Sequence, residues 1–149
     1  MIRVVVQHGA IDIAAELALV EADAGGAGAV ASFTGLVRAD DGVSALELEH
    51  YPGMTESVLR HIANDAAARW ALSGVTIVHR VGAMAPGERV VFAAAAAPHR
   101  APALEACAAL IDRLKTEAPF WKRERRGAAA RWVEPREGDI AAAARWVAG

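Results

Sequence analysis

Residues 89–126 read RVVFAAAAAPHRAPALEACAALIDRLKTEAPFWKRERR. The first nine, 89–97, are apolar on both faces, with Val90, Val91 and Phe92 leading a run of alanines, as in a central strand covered on both sides. Pro102 then opens a helix whose inner face is predicted to be Leu104, Cys107, Ala108, Ile111 and Leu114. Pro119 closes it. Residues 120–125 and 131–134 read as short strands around a turn at Gly127. An apolar strand, an amphipathic helix and a charged strand pair in succession predict an α+β domain.

The flanking chain fits the same class. Residues 2–7 form a β-branched strand, and Asp12 is placed to cap a helix to about residue 22, with Ile13, Leu17 and Val20 on one face. A Gly-rich break covers 24–28. Gly26-x-Gly28-x-x-Ala31 matches the letters of a dinucleotide fingerprint, but it precedes a strand instead of opening a helix after one, and is dismissed. A strand over 29–38 is expected to form a hairpin with the alternating stretch 44–51. Thr55 is predicted to cap a helix to about residue 70 that buries Val58, Leu59, Ile62 and Ala66. Strands 75–81 and 89–97 are joined by a turn at Pro86-Gly87. Asp139 is expected to cap a terminal helix ending at Trp146. No repeat or linker is visible, so 1–149 is read as a single domain.

Composition narrows the function. With 54% hydrophobic and 23% charged residues the chain is globular, and a net charge of −2 argues against general nucleic-acid binding. The single cysteine excludes an internal disulfide and fits a reducing cytoplasm. The N-terminus is a strand and not a signal peptide, and no apolar run reaches membrane-spanning length. Charge is nevertheless concentrated. Residues 113–136 hold eight of the sixteen Lys+Arg against three carboxylates. Both lysines of the chain, Lys115 and Lys122, lie there; every other cationic side chain is arginine. Arginine forks onto phosphate but keeps its proton, whereas lysine can be tuned to release it.

Metal chemistry is not indicated: His8, His50, His61, His79 and His99 are scattered and have no partners at ligand spacing. Cys107 sits on an apolar helix stripe and reads as core, and no serine lies in a nucleophile elbow. What remains is an anion site drawn from Arg38, His99, Arg100, Lys115, Lys122 and Arg136. The residues alone reach a phosphate-bearing small molecule and acid–base or covalent lysine chemistry.

Six motifs in order carry a resemblance over nearly the whole chain. They are F-T-G-L-V-R (33–38), L-E-H-Y-P-G-M-T-E (48–56), H-R-V-G-x-x-x-P-G-E (79–88), H-R (99–100), L-K-T-E-A-P-F-W-K-R-E (114–124) and R-W-V-E-P-R (131–136). The chain resembles the catalytic (large) subunits of molybdopterin synthase, the MoaE family. The resemblance implies an α/β hammerhead-like core with an additional antiparallel β subdomain. It also implies a sulfur transferase of molybdenum cofactor biosynthesis that converts cyclic pyranopterin monophosphate (precursor Z) to molybdopterin, with no cofactor of its own. The implied partner is a small ubiquitin-like sulfur carrier with a C-terminal Gly-Gly thiocarboxylate, joined to a homodimer of this chain in a heterotetramer. By the same resemblance Lys115 and Lys122 are catalytic, and Arg38, His99, Arg100 and Arg136 bind substrate. Phe33, Phe120, Trp121 and Arg123 would line the channel for the partner's tail, and His99 and Arg100 would reach the site from the neighbouring subunit.

Overall fold

The computed structural model describes residues 1–39, 42–126, 129–132, 137–144 and 146. In chain order the elements are β1 (Ile2–Gln7), α1 (Ile13–Asp23), β2 (Ala29–Leu36), β3 (Ala45–His50), α2 (Met54–Trp70), β4 (Gly74–Arg80), β5 (Gly82–Met84), β6 (Arg89–Ala97), α3 (Arg100–Glu117), β7 (Phe120–Arg126), β8 (Ala129–Trp132) and α4 (Glu137–Ala144). They form two four-stranded sheets, ordered β1-β4-β6-β2 and β5-β3-β7-β8. In the first, β1 and β4 are parallel while β4, β6 and β2 alternate in direction; the second is antiparallel throughout.

Strand β6 is interior to the first sheet, and its period of two explains the burial on both sides. Ala93 and Ala95 face α2 and α3, in a core with Leu59, Ile62, Val75, Ile77, Ala106, Leu110 and Leu114. Phe92, Ala94 and Ala96 face α1 with Val20 and Val78. A third cluster, Val37, Leu46, Leu48, Val81 and Met84, packs the second sheet onto the end of the first. Gly28 answers to close approach: a Cβ there would collide with the Pro98 carbonyl oxygen, beside the Gly28 N–H bond to Ala97.

Several sequence expectations fail here, and for the pairing of β3 the reason is that distant partners decide it. Residues 45–50 do alternate, but β3 pairs with β5 and β7 and not with β2, whose partner is β6. Strand β5, three residues long, is too short to announce itself. Thr55 does not cap α2; Gly53 does, at φ 86°, with its N–H donating to Glu56. Thr55 lies inside the helix, fully buried, where its hydroxyl accepts from the Tyr51 N–H and donates to the Pro119 carbonyl (2.9 and 3.0 Å). Leu104 and Ala108 face outward on α3, and its buried stripe runs instead through Ala103, Ala106, Cys107, Leu110, Ile111 and Leu114. Asp139 falls within α4 and does not precede it. No helix among the described residues is long and apolar enough to cross a membrane.

Candidate active site

The end of α3 and the strand that follows it enclose a cleft with the rim of the first sheet. Its volume is about 570 Å³. The alternation of β7 decides which of its residues take part. Phe120, Lys122, Glu124 and Arg126 line the cleft, whereas Trp121, Arg123 and Arg125 lie on the opposite face. Lys115 enters from the last turn of α3, and Arg38 from the segment after β2. Phe33 and Gly35 complete the rim from β2, opposite Ala93 and Val91 of β6. Gly35 is needed for the shape: a Cβ there would stand 2.6 Å from a Val91 methyl.

The basic run divides into scaffold and site. Arg113 is tied to Glu117 and Asp65 at 2.6 and 2.9 Å, and these bonds push its already high pKa further up. Arg123 and Arg125 both pair with Glu47 on the outer face of the second sheet, at 3.5 and 3.2 Å. Arg126 pairs with Glu124 at 3.3 Å. Such partly exposed pairs contribute little each, about 0.2–1 kcal/mol, but they account for four of the clustered arginines. Lys115 and Lys122 converge on one space from two different elements.

Sequence reasoning missed His79. It lies on β4 among Val75 and Ile77, on the face that packs against α2 and α3, and it lines the cleft. Its ring stacks on Phe120 with centroids 4.1 Å apart and planes 26° apart, and Nδ1 sits 2.9 Å from the Arg80 carbonyl oxygen. Burial lowers its pKa to about 4, against a contrary push from the carbonyl, and the positive charges of Lys115 and Lys122 add to the lowering. A polar residue interrupting an apolar face was the available signal.

Other expected residues fall elsewhere. His99 and Arg100 are exposed at the N-terminus of α3, and Lys115 is fifteen residues along the same helix, about 22 Å away. One copy of the chain therefore does not bring them together. Trp121 is half exposed and packs near Tyr51, at 6.1 Å between ring centroids. Arg136 lies outside the described residues. Cys107 is in the helix core with its thiol 3.8 Å from the Ala93 carbonyl, and burial pushes its pKa up to about 11. Among the described residues no group of three His, Cys, Asp or Glu could hold a metal ion.

Fold and cleft together define an α+β domain with a cationic, lysine-bearing cleft whose lining includes no thiol. The MoaE protein family model matches residues 6–117. The molybdopterin synthase catalytic subunit of Mesorhizobium japonicum is 49% identical over 144 residues, covering 95% of this chain and 91% of that one. The structure of the molybdopterin biosynthesis MoaE protein from Burkholderia ambifaria superposes with a TM-score of 0.86 at 47% identity, covering 98% of both chains. That of molybdopterin synthase from Staphylococcus aureus gives 0.78 at 31% identity, covering 86% of this chain and 94% of that one. The chain belongs to the MoaE family. It is accordingly a transferase of molybdenum cofactor biosynthesis.

Proposed function

We propose that the chain converts precursor Z to molybdopterin by installing the dithiolene sulfurs, which arrive as the C-terminal Gly-Gly thiocarboxylate of a small ubiquitin-like subunit. One observation carries this reading: the only two lysines of the chain, from α3 and β7, converge on one cleft while its only cysteine is buried elsewhere. A site that must handle sulfur but has no thiol at hand requires sulfur delivered from outside. The cationic lining suits both the substrate phosphate and an anionic tail.

In this reading Lys115 and Lys122 carry the reaction, and Arg38 and Arg136 hold the phosphate. Phe33 and Phe120 border the tail's path. Trp121 and Arg123, on the far face of β7, would act at the rim where the partner's body rests. His99 and Arg100 serve the cleft of a second copy, in a homodimer that forms the centre of a heterotetramer in the cytoplasm. Their distance from Lys115 within one copy supports that arrangement.

The test is to incubate the protein with precursor Z and the thiocarboxylated partner and to assay molybdopterin. Product formation is expected. Partner binding without product would make the chain an adaptor and overturn the reading.

A further inference from the structure

We propose that His79 is a substrate-binding residue of the cleft, a fixed hydrogen-bond acceptor for a ring N–H of the bound pterin. The inference rests on the function proposed above and assigns one further contact to that site. A carbonyl oxygen can only accept, so the 2.9 Å contact with the Arg80 carbonyl places the proton on Nδ1. Nε2 is then left with its lone pair. The ring cannot readily turn away, because β4 carries it and Phe120 of the second sheet lies flat against it.

Among the described residues Nε2 has no hydrogen-bond partner, yet it is not one of the buried, unsatisfied atoms. Since His79 lines the cleft, the lone pair opens on that space. Burial and the two nearby lysines keep the ring uncharged down to about pH 4. A base that weak takes up no proton at neutral pH but still accepts a hydrogen bond.

The rest of the lining is mostly of the opposite kind. Lys115, Lys122, Arg38 and Arg126 can only donate; Glu124 accepts from Arg126, and the remaining side-chain acceptors are the Asp139 carboxylate and the Thr34 and Thr116 hydroxyls, none of them an uncharged ring nitrogen held in one orientation. Donors of that kind read phosphate and carboxylate. A reduced pterin also presents ring N–H groups, and burying one without an acceptor loses binding energy. A neutral imidazole meets that need without adding charge beside the lysines.

Calorimetry of precursor Z binding to the full chain tests this, with His79→Phe and His79→Gln compared to wild type and each fold checked by thermal unfolding. The Phe variant keeps a ring against Phe120 and removes the acceptor; its affinity should fall about 3–10-fold. The Gln variant offers Oε1 and should recover most of the loss. Should the Phe variant fail to fold, His79→Leu takes its place. Wild-type affinity in the variant without an acceptor would overturn the inference. So would equal loss in both variants, which would trace the effect to disturbed packing at this position and not to the acceptor. Either result leaves the function standing if wild type binds; no binding by wild type sinks both.

Discussion

The Phe120 ring lies against the His79 imidazole at 4.1 Å, and this contact joins the first residue of β7 to β4, an interior strand of the other sheet. Thr55 adds a second tie through its hydrogen bond to Pro119, one residue earlier. Between them these contacts fix the start of the strand that carries Lys122, two residues on.

Lys115→Ala should abolish dithiolene formation and leave the fold intact, since the side chain is exposed to the cleft and carries no core contact. Lys115→Arg should fail too, because a guanidinium keeps the charge but neither gives up its proton nor attacks. Molybdopterin assays on folded variants decide it. Substantial turnover by the Arg variant would refute proton or acyl transfer at this position.

Arg38→Ala, Lys122→Ala and Arg136→Ala should each weaken precursor Z binding by about 1.5–3 kcal/mol, the worth of a charge-assisted contact. Lys122→Ala should slow turnover as well. Titration calorimetry gives the affinities, and unchanged values in all three variants would remove the anion pocket.

Deleting the terminal Gly-Gly of the partner should remove most of its affinity, as in capture of a C-terminal carboxylate. Calorimetry with intact and shortened partner compares them directly. Equal binding would place the anchor on the partner's body.

Mixing Lys115→Ala with Arg100→Ala protein under subunit exchange should restore activity. A mixed dimer with composite sites holds one site with both defects and one with neither. Absence of recovery despite proven exchange would show that His99 and Arg100 serve their own copy.

The lowered pKa of His79 makes stability depend on pH. Its folded-state value, about 4, lies below the ordinary 6.5, so between these values the unfolded chain binds a proton that the folded chain refuses. The contribution is complete above about pH 6.5 and is lost as pH falls towards 4, at up to about 1.4 kcal/mol per unit. Urea midpoints of wild type and His79→Gln between pH 7 and 4 should converge towards the acid end; parallel curves would argue against a buried neutral ring.

What the sequence disclosed was local. The apolar strand 89–97, the helix after it and the charged strand after Pro119 are all observed as β6, α3 and β7, because each is written in its own periodicity. Pairing was not legible: β3 alternates as a two-faced strand does, and nothing within it chooses β7 over β2. The cleft lysines stood out by rarity. His79 did not, because its neighbours in space arrive from α3 and β7, some forty residues later in the chain. Nor could alternation alone tell which side of β7 faces the cleft; that waited on Leu46 and Leu48 being the buried side of β3.

The alanines of β6 set a spacing. Ala93 and Ala95 separate the strand from α3 by the thickness of a methyl group, and the Cys107 thiol reaches the Ala93 carbonyl across that gap. These methyls act as a shim. Lys115 rides on α3, whereas Lys122 rides on β7, so added bulk beneath the helix would change the spacing of the two amines without touching either. The width between the two amines is thus set partly in the hydrophobic interior, by the smallest side chains that have a Cβ at all.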